Sequence, residues 1–334
     1  MARQGDDCRA ALQRTDCTHG ATLVFALSKP GRPQIAVHDV SIIIPTSNRS
    51  ASLQLCLSCL LSCTTRVQPQ RVYVVDNGSS WQECRRTRKI VEESGCVYLL
   101  LQHARGSASA RNYGVRNSQG RWVCFLDDDV IVMPNWHAKL CTTLDKLDIE
   151  DVVGIEGKVI AQGTGLWDRE VSNEYGRNYL TCHLIYRRSA FLHAGMFDEH
   201  FSSPMAEDHE LAVRMLQQGR IVFAPDLRVK HRRPNLDWQS RFVNSRRRIN
   251  ALLGAERYFY AKHTAGYKSM RYANTFAGTY RTMLFKHAWI CLKRRSLYQL
   301  VQHPEQAAGL VIISLFEQFC CWLLLAKFGW PEER

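Results

Sequence analysis

The first 20 residues lack the apolar core of a secretory signal. They are polar and carry charges of both signs (MARQGDDCRAALQRTDCTHG). We therefore expect no signal peptide, and we expect the 13 cysteines to be reduced thiols rather than a disulfide framework. Cys56, Cys59 and Cys63 share one face of a predicted helix. A metal site there would need a fourth ligand and a turn, so we interpret them as core side chains.

Several nucleic-acid motifs are also missing, although the chain is basic. Residues 220–300 hold 18 Lys and Arg against three Asp and Glu, whereas the rest of the chain holds 26 against 28. Such a block predicts an anionic partner: nucleic acid, acidic lipid or a phosphorylated substrate. The sequence shows no zinc-ligand spacing, no RNA-binding aromatic motif and no convincing basic helix-turn-helix. We therefore expect no nucleic-acid partner, and nucleic-acid binding stays as the alternative function.

The order of elements predicts an α/β fold. Hydrophobic residues make up 46% of the chain and charged residues 22%, as in an ordinary globular protein. Apolar runs at 40–44, 71–75, 97–102 and 122–126 read as strands, with helices between them. This alternation indicates a doubly wound sheet, in which ligands bind at the carboxyl ends of the strands.

The acidic triplet Asp127-Asp128-Asp129 follows the fourth predicted strand. Neighbouring carboxylates raise one another's pKa, and a divalent cation removes that conflict. Oxygen ligands suit Mg²⁺ or Mn²⁺, which proteins usually hold with one or two carboxylates together with substrate phosphates. Helix capping would explain one of these aspartates but not three. The triplet therefore predicts a metal site.

Four segments of the chain resemble the family-2 glycosyltransferases. They are VSIIIPTSNRS at 40–50, VYVVDNGSS at 72–80, GSASARNYGVRNSQGRWVCFLDDDV at 106–130 and MFDEHFSSPMAEDHELAVRMLQQG at 196–219. They come in the family's order and spacing and span roughly residues 38–235. The resemblance implies a GT-A type, Rossmann-like doubly wound mixed sheet.

The resemblance also implies a reaction and a donor site. A sugar would pass from a UDP-, GDP- or dTDP-sugar to a hydroxyl of a lipid-linked, polysaccharide or peptide acceptor, by metal-assisted inverting displacement. Asp76 would accept a hydrogen bond from the base, and Arg111 could pair with phosphate. The residues implied to contact the donor are Pro45, Thr46, Asn48, Asp76, Asn77, Gly78, Arg111, Asp127 and Asp128. A nucleotidyltransferase is a further alternative, but PTSNRS is not the Gly-rich loop usual in such enzymes.

Metal ligands and a base are implied in the same way. Mn²⁺ or Mg²⁺ would be held by Asp127, Asp129 and His231. Asp208 would take the acceptor's proton, and Glu207 would bind the acceptor or orient Asp208. Acidic residues also favour helix N-termini, and a lone histidine is more often structural, so these ordinary explanations stay open.

The chain divides into three predicted regions. Residues 1–38 form a leader, residues 39–235 the GT-A domain, and residues 236–334 a basic helical region. Its segment 307–328 is mostly apolar and about as long as a bilayer-spanning helix, but it contains Glu317. It therefore either lies at a membrane interface or packs on protein. We expect a cytoplasmic protein, and peripheral association with the inner face of an anionic membrane is a further hypothesis.

Overall fold

The structure is a computed structural model that describes residues 39–63, 67–103, 105–147, 149–162, 171–201, 205–232 and 238–270. Its strands are β1 (Val40–Thr46), β2 (Val72–Asn77), β3 (Val97–Leu101), β4 (Trp122–Leu126), β5 (Val130–Val132), β6 (Val152–Gln162), β7 (His183–Arg187) and β8 (Arg220–Arg232). Its helices are α1 (Ser50–Leu61), α2 (Trp81–Glu93), α3 (Gly106–Arg116), α4 (Trp136–Leu147), α5 (Arg188–His193), α6 (Glu207–Leu216), α7 (Trp238–Lys262) and α8 (Thr264–Met270).

The eight strands form one mixed sheet in the order β3-β2-β1-β4-β7-β6-β8-β5. The first four strands are parallel, and β7 pairs antiparallel with β4. The chain moves outward from β1 to β2 and β3, then returns to place β4 on the other side of β1. A crevice for ligands opens at the carboxyl ends of strands where the order reverses in this way. The predicted α/β doubly wound mixed sheet is confirmed.

Side chains of β1 enter two cores, one on each face of the sheet. Ile42 and Ile44 join a core under α1, whereas Ile43 packs with Val75 and Phe125 under α3. Successive side chains of a strand point to opposite faces, so a strand covered on both faces is apolar throughout. This double burial explains the continuous run of apolar residues.

Two predicted strand ends were placed slightly too early. Pro45 and Asp76 were expected directly after their strands, but they pair within β1 and β2, opposite Val75 and Thr46 respectively. Pro45 is tolerated there because the ladder between β1 and β4 already ends at Ile43, so no N–H is needed on that side. Both residues nevertheless lie at the predicted edge of the sheet.

Helix α3 packs unusually close to the sheet. A β-carbon added to Gly114 would lie 2.5 Å from Ile43 Cγ2 and 3.0 Å from Val75 Cγ2. Real side chains do not tolerate such a contact, so the helix can take this position only with glycine at 114. The close approach fixes the depth of Arg111 and Asn112, one turn earlier on the same helix.

The last two described helices pack against α6. Phe259 and Tyr267 are buried in a cluster that includes Val213 of α6. His263 Nε2 lies 2.8 Å from Glu210 Oε1, and Lys262 Nζ lies 2.9 Å from the same oxygen. The predicted division at residue 235 falls between β8 and α7 and stays a prediction.

The predicted apolar segment 307–328 and the leader 1–38 lie outside the described residues. Within the part of the chain that the structure describes, no helix is both long enough and apolar enough to cross a membrane.

Replacing Gly157 by alanine should destabilise the fold by about 1–3 kcal/mol, the usual cost of overpacking a core. A β-carbon at 157 would overlap the ring of His183. That ring cannot easily move, because Trp136 Nε1 donates to its Nε2 at 2.9 Å and its Nδ1 lies 3.2 Å from the Lys158 carbonyl. Urea unfolding measures the loss. As a control, alanine at Gly254 of α7, which has open space around it, should stabilise by about 0.5–1 kcal/mol.

Candidate active site

A cavity of about 580 Å³ opens at the carboxyl ends of β1 and β4. This is the crevice that the reversal of strand order predicts. Its walls come from the loops after β1, β2 and β4, from the N-termini of α3 and α6, and from the segment before β7. The lining includes the predicted residues Pro45, Thr46, Asn77, Arg111, Asp127, Asp129, Glu207, Asp208 and His231.

The outer aspartates of the triplet face this cavity with different partners. Asp127 Oδ1 accepts from Arg111 Nη2 at 2.8 Å. Burial acts to raise the pKa of Asp127, but Arg111 and His231 bring it below the ordinary value. Asp129 Oδ2 accepts from Arg49 Nη1 at 2.9 Å, and its Oδ1 lies 3.3 Å from His231 Nε2. Both carboxylates are therefore held by cationic or imidazole groups at the cavity wall.

The middle aspartate is buried and does not line the cavity. Asp128 is fully shielded from solvent; its Oδ2 accepts from Thr46 Oγ1 at 2.6 Å and its Oδ1 lies 2.7 Å from Arg49 Nη2. Burial raises the pKa of Asp128 to about 7. These contacts join the loop after β1 to the loop after β4. Asp128 thus holds these two loops of the site together. Its predicted contact with the donor stays a prediction.

Three potential metal ligands converge at one point of the cavity. The ligand atoms of Asp127, Cys182 and His231 all lie within 4.8 Å of one another. Strand register explains the convergence: Leu126 pairs with His183, and Val130 pairs with His231. The C-terminal end of β4, the start of β7 and the C-terminal end of β8 therefore lie close together. His231 thus lies beside Asp127, and its role as a metal ligand stays a prediction.

The carboxylates at the start of α6 separate into a buried and an accessible group. Glu207 is 3% exposed, and its Oε1 lies 3.3 Å from Ser107 Oγ and 3.4 Å from Arg111 Nη1. Burial, with the nearby charge of Asp208, raises the pKa of Glu207 to about 8. Asp208 is more exposed, and its Oδ1 accepts from the His209 backbone N–H at 2.8 Å. Asp208 is therefore the better placed of the two to reach an acceptor.

Helix α3 connects the Asp127 side of the cavity with the Glu207 side. The guanidinium of Arg111 contacts both Asp127 and Glu207, and its side chain is 4% exposed. The next residue, Asn112, accepts from the Phe197 backbone N–H and donates to Glu199 Oε1 at 2.9 Å. The segment that precedes α6 is thus fastened to α3, and Arg111 is already paired before any phosphate binds.

The predicted nucleotide-binding turn is internally hydrogen-bonded. Asp76 is fully buried and accepts from the Ser79 backbone N–H and from the Tyr98 hydroxyl. Asn48, in the left-handed region with φ 54°, accepts from the Ser80 backbone N–H at 2.8 Å. Gly78 has φ 68°, a conformation that glycine adopts without strain. Asp76, Asn48 and Gly78 shape the turn, whereas its neighbour Asn77 reaches the cavity.

Another part of the cavity wall adjoins a loop folded around one buried carboxylate. Glu156 accepts from the backbone N–H groups of Arg177 and Asn178 and from Asn173 Nδ2, at 2.7–2.9 Å. This loop leads directly to Leu180, which lines the cavity.

Among the cavity residues that the sequence analysis did not single out are Arg49, Ser107 and Cys182. Arg49 and Ser107 stand inside the segments that suggested the family, so their position was a usable signal. Cys182 stands outside all four segments, and only the antiparallel pairing of β4 with β7 brings it to Asp127. Cys56 and Cys63 are buried in the core, as predicted.

The fold is that of GT-A glycosyltransferases. Among solved structures, the chain resembles the mannosyltransferase PcManGT of Pyrobaculum calidifontis in complex with GDP-Man and Mn²⁺, with a TM-score of 0.53 and 16% identity over 90% of each chain. It also resembles S. aureus TarS 1-349 in complex with UDP, with a TM-score of 0.50 and 16% identity over 82% of this chain and 80% of that one. At these identities the likeness concerns the fold.

Residues 41–203 match the family described as Glycosyl transferase family 2. Curated relatives include glycosyltransferase AglE of Haloferax volcanii, 32% identical over 34% of this chain and 38% of AglE. The pre-mycofactocin glycosyltransferase of Mycobacterium tuberculosis is 28% identical over 61% of this chain and 45% of its own length. The chain thus spans less than half the length of either relative. The resemblance to the family that four sequence segments suggested is confirmed.

Proposed function

We propose that this protein transfers a sugar from a nucleotide-sugar donor to a hydroxyl acceptor with inversion, assisted by a divalent cation. The observation that carries the proposal is the meeting of Asp127, Asp129 and His231 with Asp208 in one cavity of about 580 Å³. A cavity of this size suits a small-molecule ligand. GDP-Man and UDP occupy the related PcManGT and TarS structures, which supports a nucleotide-sugar donor.

The charges of the cavity support a bound cation. Asp127, Asp129 and Asp208 line it as carboxylates, whereas the raised pKa of Glu207, about 8, leaves that lining group mostly neutral at pH 7. Only Arg49 and Arg111 offer permanent positive charge among the described lining residues. Carboxylate and imidazole donors converge as a divalent ion requires, so the residues fit Mn²⁺ or Mg²⁺. When bound, such an ion would neutralise charge that develops on the departing diphosphate.

Proton removal falls to Asp208 in this scheme. The acceptor hydroxyl oxygen bonds to the anomeric carbon as the bond to the diphosphate breaks, and the hydroxyl proton passes to Asp208. The His209 backbone N–H holds Asp208 Oδ1, and His209 Nδ1 lies 3.0 Å from the same oxygen. These contacts orient the carboxylate towards the cavity. A base must lie within hydrogen-bond reach of the proton that it takes, and the lining position of Asp208 permits that.

Glu207 and Arg111 form the support for this base. Their contact, together with the bond from Arg111 to Asp127, keeps the start of α6 in a fixed relation to the end of β4. A positioning error of one ångström in a transfer reaction can cost about a hundredfold in rate. We therefore assign Glu207 a positioning role, and contact with the acceptor stays a prediction.

Thermal stabilisation by nucleotide sugars tests the proposal. UDP-, GDP- and dTDP-sugars are each added with Mn²⁺, with Mg²⁺ and with EDTA. Donors that carry one of these three bases should stabilise the protein by about 2.7 kcal/mol at 100 times their dissociation constant, and only when metal is present. The matching nucleoside monophosphate, which lacks the diphosphate, serves as the control and should give no metal-dependent shift.

Two results would contradict the proposal. One is the absence of metal-dependent stabilisation with every donor. The other is salt-sensitive binding of random single-stranded DNA that stabilises the protein more than any nucleotide sugar does, which would favour the nucleic-acid alternative.

Association with an anionic membrane stays a prediction. It depends on the basic block 220–300 and the apolar segment 307–328. The second of these, and the block beyond residue 270, lie outside the described residues.

A further inference from the structure

We infer that Cys182 is a ligand of the divalent cation and makes this site favour thiophilic ions over Mg²⁺. The inference rests on the proposed function, because it concerns the cation of that same cavity. It adds a sulfur ligand to the oxygen and nitrogen ligands that Asp127, Asp129 and His231 supply.

Geometry is the first support. The ligand atoms of Asp127, Cys182 and His231 lie within 4.8 Å of one another. Bonds from such a divalent cation to oxygen, nitrogen and sulfur would be about 2.0–2.3 Å long, so any two of its ligand atoms would lie within about 4.6 Å of each other. Small side-chain rotations therefore suffice to bring all three atoms onto one ion. Since each comes from the end of a different strand of one sheet, the backbone already holds the ligands together.

The environment of the thiol is the second support. Cys182 is 4% exposed and lines the cavity, and within the described residues we find no hydrogen bond to its sulfur. Two other buried cysteines are bonded, since Cys56 Sγ donates to the Asp127 carbonyl at 3.6 Å and Cys96 Sγ to the Ser94 carbonyl at 3.8 Å, whereas buried Cys124 has no such bond within those residues but does not line the cavity. Of these four thiols, only that of Cys182 lines the cavity.

Coordination by the thiol would also change its protonation. A coordinated thiol loses its proton, so binding exchanges one proton for the ion and releases that proton to solvent.

The ligand set has a consequence for metal choice. Thiolate and imidazole suit Zn²⁺ and related softer ions, whereas carboxylate and water suit Mg²⁺. With sulfur, nitrogen and carboxylate oxygen together, Co²⁺, Zn²⁺ and Cd²⁺ should bind more tightly than Mg²⁺. A serine at 182 keeps the side chain's size but removes this preference.

Titration of the full chain with Co²⁺ tests the inference by absorption. The wild-type protein should develop a near-ultraviolet charge-transfer band that reports a sulfur–cobalt bond, together with visible bands of the bound ion. Cys182→Ser should lose the charge-transfer band and keep visible bands. Its affinity for Cd²⁺ should fall by about tenfold or more, at least the loss that removing a supporting residue of a metal site causes. Its affinity for Mg²⁺ should change little.

Cys96→Ser is the matched control, because Cys96 is also buried but does not line the cavity. It should keep the charge-transfer band. If wild-type protein binds Co²⁺ without that band, or if Cys182→Ser keeps it, the inference is wrong while the proposed function stands. If wild-type protein binds no Co²⁺ at all, the inference and the metal assistance in the proposed function both fall.

Discussion

Asp208→Asn should lower the rate of sugar transfer by a factor of about 10²–10⁴, the usual contribution of a general base. The amide keeps the size of the carboxyl group and can still accept from the His209 backbone N–H, which now donates to Asp208 Oδ1 at 2.8 Å. What it loses is the ability to take the acceptor's proton. Transfer is measured as nucleoside diphosphate released per enzyme at saturating donor and acceptor, after the donor panel has identified the base.

Donor binding should survive this substitution. The metal-dependent thermal shift with the nucleotide sugar should stay within a few tenths of a kcal/mol of the wild-type shift, because Asp208 is expected to contact the acceptor rather than the diphosphate. Loss of transfer with donor binding intact separates a base from a ligand. If Asp208→Asn abolishes the donor-dependent shift as well, the assignment of Asp208 as the base is wrong.

Glu207→Gln is the matched control one residue away. The amide oxygen can still accept from Ser107 and Arg111, which lie 3.3 and 3.4 Å from Glu207 Oε1. Since the pKa of Glu207 is raised to about 8, its carboxyl group is mostly neutral at pH 7 and an amide resembles it closely. The rate should therefore fall by about tenfold or less. A larger fall at Glu207 than at Asp208 would exchange their roles.

Local sequence predicted the parallel half of the sheet well, because β1, β2 and β4 are buried on both faces and all four of its strands read as apolar runs. Pro45, Asp76 and Asp127 were placed at one edge of the sheet for the same reason, before any contact was known. The strands on the other side of β4 were harder to order. β7 pairs with β4 and β8 pairs with β6, in each case across a long stretch of chain. The hydrophobic pattern within a segment does not indicate which distant strand that segment pairs with.

The site shows the same division. Four of its residues stand in the segments that resemble the family, so the sequence alone suggested that they share one site: Asp127, Asp129, Glu207 and Asp208. Cys182 depends on the pairing of Leu126 with His183, a tertiary fact that its own neighbours do not encode.

The separate roles of the triplet could not be read from its three identical residues. Asp128 is buried in the turn between β4 and β5, where it contacts Thr46 and Arg49.

Asp129→Asn should reduce the rate by about a hundredfold or more and remove the metal-dependent shift with the donor. The substitution removes the negative charge that Asp129 would place beside the cation. A hundredfold fall in rate corresponds to about 2.7 kcal/mol of lost transition-state stabilisation. Asp129 Oδ1 lies 3.3 Å from His231 Nε2, so the substitution also weakens the contact that orients the imidazole. The dependence of rate on Mn²⁺ concentration is the measurement, and more Mn²⁺ should restore only part of the activity.

Asp128→Asn is the control that makes this result specific, because the two aspartates are neighbours of identical chemistry. Thr46 Oγ1 can still donate to the amide oxygen, and the pKa of about 7 means that the carboxyl group is already partly neutral near pH 7. Arg49 would lose one of its two carboxylate partners and keep Asp129 at 2.9 Å. We therefore expect a fall in rate of about tenfold or less, with an unchanged dependence on Mn²⁺. Equal effects at the two positions would mean that the burial of Asp128 does not separate it from the metal, and the division of roles within the triplet would be wrong.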